Sequence, residues 1–185
     1  LVRRQPDAFR AGRSTYHVAE PIVAFYHSVM RPRWALLESG RAEQVWRDAA
    51  PRFTAQVLGP HFEHLCREWV MTGDHVGGLP GEVSAGVVND PASRTQIDVD
   101  VVVLAPASTR EPRRILALGE AKWGEVMGMV HVERLRRARD LLALRGYDIR
   151  DTRLVCFGAA GFRDDLGHEV AAGRVMTVDL ETIYG

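Results

Sequence analysis

The chain has 185 residues, which is enough for one sizeable domain with a real core. Hydrophobic residues make up 46% of the sequence and charged residues 26%, proportions that are ordinary for a globular protein. The 24 basic and 24 acidic residues give a formal net charge of zero, so the chain as a whole carries no basic field for nonspecific nucleic-acid binding. Any such binding requires a local basic patch.

Two features of the sequence bear on where the protein works. Cys66 and Cys156 lie within apolar patterns and belong to no CxxC motif, which predicts free buried thiols in a reducing compartment. No apolar run approaches the ~18 residues that a membrane span needs. Residues 1–10 lack the apolar stretch of a signal peptide. We therefore predict a cytoplasmic location and no membrane partner.

The first third of the chain is predicted to be mostly helical. A short strand is expected near Tyr16 and Val18, and Pro21 can open the first helix. Pro51 is expected to close one helix, and Pro60 marks a kink or a fresh start in the longest one. The predicted helices span 21–30, 34–40, 41–50 and 53–73. In the last of these, a core-facing stripe follows helical spacing: Phe62, Leu65, Cys66, Trp69 and Val70.

After residue 73 the apolar period changes to that of strands. We predict three consecutive antiparallel strands, a helix, a buried strand, a helix with an internal glycine, and a last strand and turn. These elements span 82–88, 95–105, 114–123, 131–146, 152–159, 162–173 and 174–184. The order from residue 54 onward is α-β-β-β-α-β and then α-β, which predicts an α/β fold, of the α+β type, with a mixed sheet.

Two aspartates interrupt the apolar strand predicted at 95–105. Strict alternation places Ile97, Val99, Val101 and Val103 on one face, and Gln96, Asp98, Asp100 and Val102 on the other. Directly after Asp100 the sequence is apolar on both faces, as in a central strand covered on both sides. An aspartate at the entrance of such a strand is costly unless its charge is compensated, whereas Asp98 fits a solvent-facing position.

A second pair of charges ends the apolar strand predicted at 114–123. Glu120 and Lys122 are two residues apart, so both lie on one face of that strand. One interpretation is a surface ion pair, which contributes at most ~1 kcal/mol. The other is a site, because an aspartate on the preceding strand brings a second carboxylate to the same edge.

Two carboxylates and an ammonium at one edge suit metal-assisted chemistry. Mg²⁺ binds through one or two carboxylates, with water and substrate phosphate in its other positions. Such an ion activates water and stabilises charge on phosphate, and a lysine can assist the nucleophile. We therefore predict that Asp100 and Glu120 bind Mg²⁺ or Mn²⁺ and that Lys122 is catalytic.

The segment Asp100…Glu120-Ala121-Lys122, on a hairpin with a helix before it and α-β after it, resembles the PD-(D/E)XK nuclease superfamily. The resemblance implies a restriction-endonuclease-like αβββαβ core. It also implies that a helical glutamate, Glu63, joins the metal site as a further ligand and catalytic residue, with Glu68 as a weaker substitute. Val99 stands where the family has proline, so Asp98 competes with Asp100 for the ligand role.

A narrower resemblance covers most of the chain. The segments at 14–40, 53–69, 97–104 and 117–124 resemble the C-terminal region of prokaryotic AAA/STAND-type archaeal-ATPase family proteins. That likeness implies a winged-helix tail at 1–20, a helical linker or subdomain at 21–53, and a nuclease-like domain at 54–185. It also implies that this is the C-terminal part of a longer chain, as the missing start methionine suggests. ATP would then bind only in an absent N-terminal ATPase domain, which becomes a partner of this one.

The helix predicted at 131–146 is rich in arginine. Arg134, Arg137 and Arg145 lie off its apolar face and are predicted to contact nucleic acid beside the metal edge. The alternative is a solvated helix face, because Glu133 and Asp140 dilute the charge.

Two functions follow from these observations. The first is a Mg²⁺-dependent DNA phosphodiesterase, which would be a metal-dependent hydrolase. The second is an inactive nuclease-like module that binds nucleic acid or forms homo-oligomers for its ATPase.

Overall fold

The computed structural model describes residues 2–109 and 111–185. Its centre is a five-stranded sheet in the order β3-β4-β5-β6-β7. The strands of this sheet are β3 (Glu82–Asp90), β4 (Thr95–Leu104), β5 (Ile115–Lys122), β6 (Arg153–Gly158) and β7 (Val175–Val178). The first three are antiparallel and the last two pairings are parallel, so the predicted α/β class with a mixed sheet is confirmed.

The helical elements lie before, between and after these strands. In chain order the α-helices are α1 (Pro21–Phe25), α2 (Trp34–Glu38), α3 (Ala42–Phe53), α4 (Gly59–Thr72), α5 (Met129–Leu144), α6 (Gly167–Ala171) and α7 (Leu180–Tyr184). Short π-helical turns occupy Tyr26–Met30 and Thr54–Leu58, and 3₁₀ turns occupy Arg31–Arg33 and Asp164–Leu166. Within residues 2–109 and 111–185, none of these helices combines the length and the apolar character that crossing a bilayer requires.

The sheet is covered on both faces, which explains its long apolar strands. On one side, Leu135 and Leu142 of α5 pack into a cluster with Leu118 of β5. On the other side, Phe62 and Cys66 of α4 pack into a second cluster. The predicted core-facing stripe of the longest helix is therefore confirmed at these positions, and both helices are held beside the middle strands.

A separate hairpin precedes the helices. Its strands are β1 (Val2–Pro6) and β2 (Ser14–Val18), paired antiparallel. The sequence predicted only the second strand, because Val-Arg-Arg-Gln-Pro has no apolar alternation to indicate the first. Residues between the strands join the main core: Ala8 and Phe9 are buried in the cluster under α5.

The helical segment differs from its prediction at the prolines and the π-turns. Pro51 does not close a helix, since α3 continues through it to Phe53 and passes into the π-turn at Thr54–Leu58. A proline removes one intrahelical hydrogen bond, and here that loss falls within three residues of the helix end. Pro60 lies in the first turn of α4, as a fresh start. The predicted helix over 162–173 is shorter, because only α6 and a 3₁₀ turn are helical there.

Candidate functional site

The strands β4 and β5 separate at the residues that the sequence singled out. Their ladder runs from Leu104 opposite Ile115 to Val101 opposite Gly119, and Asp100 and Glu120 come next on each strand. At Gly119 an added Cβ atom would lie 2.8 Å from the Phe157 ring and 3.2 Å from Val101 Cβ, so glycine permits the close packing of this last pair. Beyond that pair the strands form a fork. We call Asp100, Glu120 and Lys122, together with Ala121, the fork site.

A β-bulge sets the direction of Asp100. Ser84 pairs with Val102 and Gly86 with Val99, so Ala85 alone opposes two residues of β4. A bulge turns the local side chains and increases strand twist. The predicted alternation is therefore wrong here, because Val99 and Val101 belong to different core clusters. Gly86 was the available signal, since an isolated glycine within a strand pattern marks a bulge or a close contact.

Asp100 is joined directly to the Glu120–Lys122 segment. The amide N–H of Ala121 donates a 2.9 Å hydrogen bond to Asp100 Oδ2. Burial raises the pKa of Asp100, while the Ala121 hydrogen bond and the Lys122 charge lower it and the Glu120 charge raises it. Asp98 makes no such link: its backbone carbonyl accepts a hydrogen bond from Arg134, and its pairing partner is Val87. The geometry favours Asp100 over Asp98 as the residue of the fork site.

Glu120 is fully buried and its carboxylate is incompletely satisfied. Its side chain has 0% exposure, and among the described residues neither of its oxygens has a hydrogen-bond donor. Two cations nevertheless lie close: Lys122 Nζ is 3.1 Å from Oε1 and Arg134 Nη1 is 3.5 Å from the same oxygen. The Glu120–Lys122 pair shares one face, as its spacing predicts, but it is not a surface ion pair.

Helix α4 reaches the fork site through an arginine that sequence reasoning missed. Arg67 Nη1 donates a 2.6 Å hydrogen bond to the backbone carbonyl of Asp100 and lies 3.7 Å from Glu63 Oε2. Burial raises the pKa of Glu63 to about 7, and the Asp100 charge adds to this, whereas Arg67 and Lys122 lower it. The i, i+4 spacing of Glu63 and Arg67 was the sequence signal for this pair. Glu68, the substitute for Glu63, is instead paired with His64 at 3.1 Å and is more than half exposed.

The predicted ligands do not form a compact metal cage. Within residues 2–109 and 111–185, no three or more His, Cys, Asp and Glu side chains are grouped so that they could hold a metal ion. Asp100, Glu120 and Glu63 are near enough for Asp100 to raise the pKa of Glu63 and for Glu120 to raise that of Asp100. Asp100 and Glu120 are thus neighbours at one edge, while Glu63 is held to one side by Arg67.

The three arginines predicted to contact nucleic acid have different surroundings. Arg134 contacts the fork site through Glu120. Arg137 donates two 2.8 Å hydrogen bonds to Asp90, which hold the pKa of that carboxyl well below its usual range. Arg145 is exposed just beyond the end of α5 and lies about 16 Å from Arg134 along the helix axis. The helix therefore does not place these arginines together beside the fork site.

Lys122 carries a signal that composition alone reveals. The chain contains 23 arginines and a single lysine, and that lysine is Lys122. An arginine has a broad planar head, whereas a lysine ammonium is a compact point charge with rotatable donors. The fork site is thus the one place where this chain uses a lysine for its positive charge.

Comparisons with protein-family models, curated proteins and solved structures found no match to this chain. The residues of the fork site and their geometry are therefore the basis for assigning a function.

Proposed function

We propose that the fork site is the active centre of a metal-dependent DNA phosphodiesterase with a restriction-endonuclease-like core. Glu120 carries this proposal, because a carboxylate with no exposure and no hydrogen bond to either oxygen is costly to bury, and only two partly exposed cations offset its charge among the described residues. Such groups are concentrated at functional sites, where a ligand completes them.

The residues at the fork fit a hard divalent cation. Glu120 offers two oxygens without hydrogen bonds, and Asp100 lies beside it with Oδ2 engaged by the Ala121 amide. Mg²⁺ typically takes one or two carboxylates and keeps several waters, so it does not require the three-carboxylate group that is absent from the described residues. We assign Asp100 and Glu120 as the ligands of Mg²⁺ or Mn²⁺. Glu63 would support the site from α4.

The chain's own residues have distinct roles under this proposal. A bound divalent ion would supply an activated water and neutralise charge on the phosphate. Lys122 keeps an ammonium beside Glu120 with 30% of its side chain exposed, so it can donate to a nucleophile or to a phosphoryl oxygen. Arg134 approaches the same carboxylate from α5 and adds positive charge at that edge.

The proposal is tested by nicking of supercoiled DNA in Mg²⁺ or Mn²⁺. Lys122→Ala is expected to abolish nicking, and Lys122→Arg to lower it at least tenfold, because a planar guanidinium cannot replace the compact ammonium. Arg139→Lys, an exchange at a half-buried position of α5 where the partner is Asp140, is the matched control and is expected to leave nicking unchanged. Equal nicking by wild type and Lys122→Ala would refute the catalytic role of this lysine.

A second function is favoured by the charges already present at the fork. Lys122 and Arg134 both lie against Glu120 Oε1, and Arg67 is paired with Glu63, so protein cations partly occupy the place of a metal. This arrangement suits an inactive nuclease-like module that binds DNA or self-associates. Calorimetric titration with Mg²⁺ and Mn²⁺ separates the two: no heat of binding, with DNA binding that survives Lys122→Ala, supports the inactive module.

Three further features stay predictions: association with an ATPase domain, homo-oligomerisation and a cytoplasmic location. They depend on the resemblance to ATPase C-terminal regions and on composition. Copurification with the ATPase portion is the measurement that tests the first.

A further inference from the structure

The N-terminal hairpin concentrates positive charge that the chain as a whole lacks. Residues 2–18 contain four arginines and one acidic residue, Asp7, while the complete chain is neutral. Nearly all residues of β1 and β2 are exposed. A local basic patch of this kind is what nucleic-acid binding requires in a neutral protein.

The hairpin is fixed to the sheet at the bulge that carries Asp100. Ala8 donates a 2.9 Å backbone hydrogen bond to Ala85, the residue opposite the bulge. Phe9 packs over Gly86, where an added Cβ would lie 2.5 Å from its ring, and makes an edge contact with Tyr147 at 5.6 Å. The hairpin therefore has a defined position relative to the fork site.

A cleft lies between the hairpin and the sheet. Its volume is about 330 Å³. One wall includes Arg10, Arg13 and His17, and the other includes Glu63, Asp98 and Asp100. Basic side chains of the hairpin thus line the same cleft as Asp100, one of the proposed ligands.

Two arginines of this wall differ in how they are held. Arg10 donates through Nε to Asp7 Oδ2 at 2.7 Å, which orients its guanidinium. Arg13 is exposed, and its side chain has no hydrogen-bond or ion-pair partner among the described residues. An exposed guanidinium that lines the cleft, and that has no side-chain partner within residues 2–109 and 111–185, is available to phosphate oxygens.

We propose that the hairpin of residues 2–18 is the DNA-binding wall of this protein, with Arg13 and Arg10 contacting backbone phosphates of a duplex that lies along the cleft. This assignment replaces α5 as the principal nucleic-acid surface, and it rests on the proposed function for the identity of the partner. Phosphate contacts of this kind position a duplex without reading its sequence.

Binding of a fluorescently labelled DNA duplex, measured by anisotropy in EDTA over 50–200 mM salt, tests the proposal. Each phosphate contact contributes about 0.9 to the slope of log affinity against log salt. Arg13→Ala is expected to lower the slope by about 1 and to weaken binding several-fold. Arg13→Lys is expected to restore most of the slope, and Arg145→Ala, an exposed arginine at the end of α5, to leave binding unchanged.

The opposite pattern overturns the proposal. The hairpin would be excluded as the DNA-binding wall if Arg13→Ala and Arg13→Glu bound DNA as tightly as the wild type. The same would follow if Arg145→Ala lost more DNA affinity than Arg13→Ala. Tighter binding of an RNA duplex than of a DNA duplex would exclude DNA as the partner. Circular dichroism of each variant checks the fold, which these changes should not disturb because Arg13 makes no side-chain bond among the described residues.

The two proposals fail separately. If wild type nicks DNA but Arg13 variants bind it normally, the hairpin assignment fails and the phosphodiesterase stands. If binding depends on Arg13 but Mg²⁺ and Mn²⁺ produce no nicking, the hairpin assignment stands and the phosphodiesterase fails.

Discussion

A carboxylate without exposure, and without a hydrogen bond to either oxygen, opposes folding by several kcal/mol unless cations offset it. At Glu120 the offset comes from Lys122 and Arg134, both of which keep part of their side chains in solvent. The arrangement is therefore asymmetric: the anion is buried and the cations are not. If Glu120 is a metal ligand, as proposed, replacing its carboxylate by an amide should not cost stability. If it is half of a structural ion pair, the same replacement should destabilise the fold.

Glu120→Gln is expected to leave stability unchanged or to raise it. The amide keeps the shape and removes the buried charge, and the two cations can hydrate because 30% and 42% of their side chains are exposed. Each 1 kcal/mol gained corresponds to about 2–4 °C in Tm for a domain of this size. Thermal unfolding without divalent ions is the measurement.

A loss of stability in Glu120→Gln would point to a structural ion pair. Removing one partner of a structural buried ion pair typically costs about 3–5 kcal/mol. A loss of that size in Glu120→Gln would show that the carboxylate stabilises the fold through Lys122 and Arg134, and it would remove the main support for a metal ligand.

The raised pKa of Glu63 predicts that the stability of the fold depends on pH. Its pKa is about 7 in the folded protein against an ordinary 4.5, mainly because of burial. A raised folded-state pKa contributes stability that is complete below about pH 4.5 and is lost as the pH rises to about 7. Glu63→Gln removes this loss, so the variant should gain stability relative to wild type between these pH values.

Urea unfolding of wild type and Glu63→Gln at several pH values checks this expectation. Only the change of the difference with pH matters, since exchanging the neutral carboxyl for an amide adds a constant and the Arg67 pair is already included in the shifted pKa. About a third of the Glu63 side chain is exposed, so solvent screening reduces the effect. A difference that stays constant from pH 4.5 to 7 would contradict the shifted pKa.

At the scale of elements, the hairpin packs on the sheet at the position of the bulge in β4. The bulge turns Asp100 toward the fork. On the neighbouring strand β3, Gly86 leaves room for the hairpin to pack against the sheet at the bulge. Phe9 fills the space above this glycine and connects the hairpin to the cluster under α5. The position of the basic wall therefore depends in part on the packing of Phe9 against Gly86, beside the backbone hydrogen bond from Ala8 to Ala85.

Gly86→Ala is expected to displace Phe9 and to destabilise the protein by about 1–3 kcal/mol, as overpacking does. It should also weaken DNA binding, because the hairpin moves with its anchor. Gly167→Ala in α6 is the matched control: no atom lies within 4 Å of its added Cβ, so stability should be unchanged or rise by about 0.4–1 kcal/mol. Equal Tm values for Gly86→Ala and wild type would show that Phe9 is not tightly held.

At the scale of the whole molecule, the sheet brings distant segments to one place. Its two faces hold α4 and α5 in position, and the fork lies between them, with Arg67 approaching from α4 and Arg134 from α5. Under the proposed function, a ligand at the fork would lie beside groups supplied by both layers of the fold. Such binding should stabilise the molecule as a unit.

Mg²⁺ or Mn²⁺ is expected to raise Tm. A ligand at about 100 times its Kd adds about 2.7 kcal/mol, which is about 5–11 °C here. Glu120→Gln should show no increase, and NaCl of equal ionic strength serves as the control for screening. An equal increase in wild type and Glu120→Gln would place the divalent ion elsewhere.

The sequence by itself determined the local features. Apolar periods predicted the sheet strands and α5, because those periods depend on neighbours two to four residues apart. The common face of Glu120 and Lys122 followed from the same short-range geometry, and burial after Asp100 followed from the loss of polar alternation. These predictions needed no knowledge of a partner strand.

Only the tertiary structure decided how these residues meet. The direction of Asp100 depends on a bulge against β3, its carbonyl is bound by Arg67 from 33 residues away, and the basic wall contacts the sheet through Phe9. Long-range contacts of this kind produce no periodic pattern in the sequence, because the strand register and helix packing that create them depend on the whole chain. Residue spacing thus determined which groups share an element, and packing of the elements determined which groups share a site.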